Sequence, residues 1–137
     1  MEAIIPYLSF EGNGAEALEF YEKALDGKII FKQTFGESPM EVPEDQKGKL
    51  MHATFKAGDL TLMASDTPPH HSVKNGNNIN LSLNFSSIEE MEKVFAGLSE
   101  GANVVMPLQD TFWGARFGML TDKYGFGWMF NHDYPKK

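Results

Sequence analysis

Hydrophobic residues in this chain alternate with polar ones in short runs, and between the runs they recur at helical spacing. Residues 4–10, Ile-Ile-Pro-Tyr-Leu-Ser-Phe, alternate as a strand does. Pro6 lacks an N–H, so this strand belongs at an edge, or the proline at its start. Asn13-Gly-Ala-Glu16 has the spacing of a capping box. Ala17, Leu18, Tyr21, Ala24 and Leu25 then follow on one helical face, and Gly27 is a stop signal. Residues 28–35 predict a second strand. Residues 36–48, with two prolines and four acids, predict an exposed, mobile loop. Strands over 49–57 and 60–64 flank Gly58-Asp59, a two-residue hairpin signal.

The plan then repeats. Leu8-Ser9-Phe10 matches Leu81-Ser82-Leu83 at an offset of 73 residues, and the cap pair Asn13/Glu16 matches Ser86/Glu89 at the same offset. Ala15, Leu18, Tyr21 and Leu25 match Ile88, Met91, Val94 and Leu98. Strands over 103–108, 117–121 and 127–131 complete the second half. A match that keeps strand, cap and helix phase together is stronger than any single motif. The expected organisation is one α+β domain of two tandem β-α-β-β-β modules, residues 1–66 and 77–137, joined by a polar linker at 67–76.

One helix covers one face of each sheet, so the other face should line a cleft in a curved mixed sheet. Alternation assigns the faces. Ile4, Leu8 and Phe10, then Met51, Ala53 and Phe55, then Ile79, Leu81, Leu83 and Phe85, go to the helices. Ile5, Tyr7, Ser9, His52, Thr54, Asn78, Asn80, Ser82 and Asn84 point to the cleft.

Composition narrows the chemistry. With no cysteine in 137 residues, disulfides, thiol nucleophiles and cysteine metal sites are excluded. A net charge of −7 opposes binding to nucleic acid or anionic lipid. The lysines cluster only at Lys47/Lys49 and Lys136-Lys137. No apolar run reaches the roughly 18 residues of a membrane helix, and the N-terminus lacks a secretory pattern. A cytoplasmic protein with neither a nucleic-acid nor a membrane partner is the expectation.

Tyr7-Leu-Ser-Phe-Glu-Gly-Asn-Gly-Ala-Glu-Ala-Leu-Glu-Phe-Tyr21, Lys49-Leu-Met-His-Ala53, Ala64-Ser-Asp66, Met106-Pro-Leu-Gln-Asp-Thr-Phe-Trp-Gly-Ala-Arg-Phe-Gly118 and Thr121-Asp-Lys-Tyr-Gly125 together resemble the PhnB-like branch of the vicinal oxygen chelate superfamily. That superfamily includes glyoxalase I, extradiol dioxygenases and bleomycin-resistance proteins. The resemblance spans essentially the whole chain. It implies a glyoxalase-like fold of paired β-α-β-β-β modules and usually a homodimer. The superfamily's four metal-ligand positions carry over to Ile5, Met63, Asn80 and Met129. Aliphatic and thioether groups are poor ligands for Mg, Mn, Fe(II) or Ni, and one neutral amide cannot hold a divalent ion. The chain thus departs from the metal-dependent pattern, which argues against glyoxalase I or extradiol dioxygenase activity. Some members of the branch carry a demethylubiquinone methyltransferase label, but no Gly-x-Gly-x-Gly follows a strand here to seat a nucleotide cofactor.

Several residues carry candidate chemistry. His52 is the catalytic candidate, since a cleft histidine can act as general base or donor; the alternative is a structural histidine bonded across the sheet. A metal role for His52 would need partners; Asp66 is one, but two ligands are too few to hold an ion. Arg116 stands between aromatic residues and suits an oxyanion clamp; otherwise it stacks on Trp113 and pairs with Asp110, fixing the loop's shape. Phe112 and Trp113 supply a pocket floor or a dimer contact. Tyr7 adds a ring and a hydroxyl, and Met63, Met119 and Met129 a soft wall. His70, His71 and His132 read as surface residues.

The expected function is metal-independent binding of a small apolar or aromatic molecule, anionic or neutral, by Tyr7, His52, Asp66, Asn80, Phe112, Trp113 and Arg116, with no cofactor. The alternative is a metal-dependent lyase, isomerase or dioxygenase with His52 as its acid–base group.

Overall fold

In the computed structural model, which describes residues 1–68 and 70–136, ten elements follow the expected order twice. Pro69 of the expected linker and Lys137 of the terminal lysine pair lie outside the described residues. The chain forms two compact units, residues 1–74 and 75–137.

The first unit runs β1 (Tyr7–Phe10), α1 (Gly14–Leu25), β2 (Lys28–Thr34), β3 (Leu50–Ala57) and β4 (Leu60–Asp66). Its sheet has the order β1-β4-β3-β2, with β1 parallel to β4 and the other pairs antiparallel. The second runs β5 (Asn80–Asn84), α2 (Ile88–Ser99), β6 (Asn103–Asp110), β7 (Ala115–Thr121) and β8 (Gly127–Asp133), in the order β5-β8-β7-β6. Both are mixed sheets of four strands, so the α+β, glyoxalase-like class holds.

In unit 1 the predicted helical stripe of α1, Ala17, Leu18, Tyr21, Ala24 and Leu25, is buried in full. It packs with Leu8, Phe10, Ala53, Phe55, Leu62 and Ala64. In unit 2, Met91, Val94 and Leu98 of α2 are buried, as are Leu120, Trp128 and Phe130 of the sheet. Each large side chain of this kind contributes roughly 1.5–3 kcal/mol on burial. Ile4 and Ile79, expected against the helices, are exposed, because both precede the first residue of their strands.

The helix caps differ from the local signals. Asn13 makes no capping hydrogen bond through its side chain. The start of α1 is held instead by Asp66, from the end of β4. Its Oδ1 accepts from the amides of Gly12 (2.9 Å) and Gly14 (2.8 Å), and its Oδ2 from that of Leu50 (2.7 Å). A β-carbon at position 14 would stand 2.9 Å from that Oδ1, which is why glycine sits there. At the other end the left-handed residue is Asp26, one before the predicted stop. The cap of α2 is Ser87, one residue later than predicted; its hydroxyl accepts from the Glu90 amide at 3.2 Å.

Two bulges shift strand parity in unit 1. Between Ile29 and Phe31 the pairing skips Ile30, and between Gln33 and Thr34 it skips Met51 on β3. The second bulge turns Leu50 inward and leaves Met51 half-buried, a correction to simple alternation. The loop at 36–48, read as mobile, contains two 3-10 turns, Phe35–Glu37 and Glu44–Gln46. It is tied by Gly36 N donating to Lys47 O at 2.9 Å and by a capping box between Thr34 and Glu37. The hairpin at Gly58-Asp59 forms as predicted.

Asp66→Ala would leave three backbone donors without their acceptor. We predict a loss of about 3 kcal/mol or more, read as a lower urea midpoint at unchanged slope. A midpoint within error of the parent would contradict the role given to Asp66.

Candidate functional site

The face of the first sheet opposite α1 is organised in cross-strand rows. Tyr7, Met63, Thr54 and Phe31 lie in register across all four strands. Directly paired residues share a face, so these four side chains stand together. From the adjoining row, where His52 pairs with Gln33, the imidazole meets the phenol: Tyr7 Oη and His52 Nδ1 are 3.0 Å apart. The other ring nitrogen lies 3.5 Å from Thr54 Oγ1. The imidazole is 5.7 Å from the Tyr7 ring and 6.0 Å from the Phe31 ring, centroid to centroid. Tyr7 and Phe31 are each 50% exposed. An aromatic surface thus surrounds a hydrogen-bonded phenol–imidazole pair, both members of which donate and accept. Tyr7, His52 and Thr54 lie on the face opposite α1, the side to which alternation assigned them. Phe31 escaped prediction because the bulge at Ile30, invisible in the residue pattern, turns it to this face.

Asp66 does not join this group. It is 3% exposed and both its oxygens are taken by backbone amides, so it fixes the β1–α1 turn and is unavailable to a ligand.

In unit 2 the expected pocket lip is mostly strand. Met106 to Asp110 belong to β6, and only 111–114 form the turn. Thr111 N donates to Ala115 O at 2.8 Å, and Gly114 turns at φ +88°. At the tip Phe112 is 97% and Trp113 58% exposed. The two rings meet edge to face at 5.1 Å, and Trp113 meets Phe117 at 6.1 Å. Asn80 is exposed on β5, its Oδ1 lying 2.2 Å from where a β-carbon of Gly127 would be.

Of the loop-shaping alternative, the pairing of Arg116 with Asp110 is present. Arg116 alternates with Phe117 on β7, on the face of buried Leu120, and pairs in register with Asp110 and His132. Its Nη1 lies 3.4 Å from Asp110 Oδ1 and its Nη2 3.4 Å from Glu92 Oε1 on α2. Its buried Nε has no hydrogen-bond partner among the described residues. The cation is therefore committed to two carboxylates on the helix side. Tyr134 closes the same cluster: its hydroxyl donates to Asp110 Oδ1 and its amide to Gly114 O at 3.0 Å. This bond, more than the neighbouring guanidinium, holds the Asp110 carboxyl below its ordinary range and raises the Tyr134 phenol.

His132, read as a surface residue, is half-buried. Its Nδ1 donates to Phe85 O at 2.8 Å. It borders a shallow depression of about 520 Å³ with Asn84, Ser86, Asn131 and Asp133. His70 and His71 are exposed, as expected.

The donor set does not fit a resident divalent metal. Among the described residues no three His, Asp or Glu side chains gather where one ion could sit. Met63 is flanked in register by Tyr7 and Thr54, and Met129 by Ser82 and Met119. Thioethers and hydroxyls of this kind do not replace the harder donors such an ion takes.

The profile of the glyoxalase/bleomycin resistance protein/dioxygenase superfamily matches residues 4–130. The chain belongs to this superfamily. It is 30% identical over 136 residues to protein YjdN of Escherichia coli, covering 92% of each chain. The structure of PA1353 from Pseudomonas aeruginosa is 42% identical with a TM-score of 0.87, covering 98% of this chain and 100% of that one. The structure of a PhnB protein from Bacillus cereus, named a putative 3-demethylubiquinone-9 3-methyltransferase, is 27% identical with a TM-score of 0.80, covering 96% of this chain and 99% of that one. The PhnB-like resemblance read from the motifs therefore holds. Among the described residues no helix is long and apolar enough to cross a membrane.

The Asp110–Tyr134 bond has a pH signature. Asp110 has a lowered folded pKa, so its stabilisation is present above the ordinary carboxylate range and is lost as pH falls through the lowered value. Tyr134 has a raised one, so its share is present below the ordinary phenol range and is lost as pH rises through the raised value. Tyr134→Phe should move the Asp110 carboxyl titration, followed by carbon-detected NMR, upward toward the ordinary aspartate range. An unmoved titration would reject the bond.

Proposed function

We propose that this protein binds a small apolar or aromatic molecule, without a metal, on the open face of its first sheet. The observation that carries this reading is the Tyr7–His52 pair at 3.0 Å, set among half-exposed rings. A planar ligand gains apolar area from Tyr7, Phe31 and Met63. It orients a polar substituent on the phenol or imidazole, the usual division of labour in a ligand site. Asn80, Phe112 and Trp113 belong to unit 2 and are not part of this proposal. Arg116 and Asp66 leave it, because each already has its partners.

The methyltransferase name of the Bacillus cereus relative does not transfer well. No Gly-x-Gly-x-Gly follows a strand, and the two four-stranded sheets are not the doubly wound parallel sheet that seats nucleotide cofactors.

A second reading, an enzyme with His52 as acid–base group, draws on the same hydrogen bond. A tyrosine hydroxyl beside an imidazole is a proton partner for it. In this reading the protein retains a metal.

Two measurements separate the readings. Protein loaded with Mn, Fe, Ni or Zn and then desalted should retain none; about one equivalent per chain would favour the enzyme. In a thermal-shift screen of aromatic compounds, Tyr7→Phe and His52→Ala should each weaken the hits about tenfold, roughly 1.4 kcal/mol. Arg116→Ala should leave their affinity unchanged. Hits insensitive to both Tyr7→Phe and His52→Ala would reject the site.

A further inference from the structure

One row further along the open face of the first sheet, Thr61, Lys56 and Lys28 stand in register on β4, β3 and β2. Lys56 is two residues from Thr54 and so shares its face, whereas Phe55 between them is fully buried on the other side. Lys28 and Lys56 oppose each other directly across β2 and β3. Like charges at directly opposed positions repel. Neither lysine has an ion pair among the described residues. The nearby acids lie elsewhere: Asp26 caps α1, Asp59 sits in the β3–β4 turn, and Glu22 accepts from the Ile29 amide at 3.2 Å on the helix side. No strand residue of this face carries a carboxylate, in a chain of net charge −7.

We propose that Lys28 and Lys56 form an oxyanion subsite for the ligand of this face, which is therefore an aromatic carboxylate or phosphate. The inference rests on the ring site proposed above. The aromatic row Tyr7–Met63–Thr54–Phe31 and the lysine row are two residues apart along β3 and β4, about 7 Å, and three along the bulged β2. The acid group lies about one ring length beyond the ring. Binding it relieves the lysine–lysine repulsion, so the anion gains from a pair that weakens the free protein. This relocates the anionic handle from Arg116, which is neutralised by Asp110 and Glu92, to two cations with no such partners.

The test is an amide NMR titration at low salt with four probes: 3-phenylpropanoate, phenyl phosphate, neutral 3-phenylpropan-1-ol and inorganic phosphate. Both acids should shift the Lys28, Phe31, Thr54 and Lys56 amides, the tighter acid identifying the preferred oxyanion. Lys28→Gln/Lys56→Gln should weaken both acids at least tenfold and leave the alcohol unchanged, and Lys28→Arg/Lys56→Arg should restore binding. Acid binding as tight in the double glutamine variant as in the parent overturns the subsite. So does inorganic phosphate or either acid leaving both lysine amides unmoved at saturation. If the ring probes never perturb Tyr7 or His52 while phosphate still moves the lysines, the ring site fails and the subsite stands.

Discussion

A buried carboxylate satisfied by neighbouring N–H groups holds each half of this molecule in shape. In the first unit Asp66 gathers the amides of Gly12, Gly14 and Leu50. It thereby binds the end of β4 to the start of α1 and the start of β3. In the second, Asp122 accepts from the amides of Tyr124 and Phe126 and from the indole N–H of Trp128. A charge removed from water is costly unless donors replace its hydration, so these contacts tolerate little displacement. His52 lies two residues from Leu50, and its position is set by that anchor before any ligand arrives.

The distribution of charge follows from the same economy. Cations near a carboxylate are consumed by it: Arg116 is held between Asp110 and Glu92, and Lys47 pairs with Glu44 at 2.8 Å. The open face of the first sheet keeps Lys28 and Lys56 out of such pairs, because its strands contribute rings, hydroxyls, amides and amines. The net charge of −7 disfavours competing polyanions, while this small region attracts one anion.

Much of the architecture was legible because two periodicities dominate it. The stripe from Ala17 to Leu25 and the alternation through Leu8, Phe10, Ala53 and Phe55 report burial directly. Misreadings arose where distant parts of the chain override a local signal. Asn13 looks like a cap, yet Asp66 arrives from 52 residues beyond Gly14 to take the amide. Arg116 sits among aromatics in sequence, but β7 alternation sends it to the opposite side from Phe117. Of the site, Tyr7 and His52 were visible because β1 is regular and the irregularity of β3, at Met51, ends before His52. Phe31 and the Lys28–Lys56 pairing were not, because β2 changes parity midway.

That change of parity gives β2 the character of a ruler with one spare graduation. Lys28 and Phe31 face the same way although three positions separate them, because Ile30 is accommodated without a partner on β3. Loss of the Ile30 codon would leave Lys28 opposite Lys56 and Phe31 opposite Thr54, and the ladder would merely become regular. Loss of the Lys32 codon would bring Gln33 opposite Ala53, shifting it from the open face to the packed one. Single-residue deletions in this strand should therefore be tolerated at one position and disruptive two residues later, an asymmetry set by register and independent of side-chain chemistry.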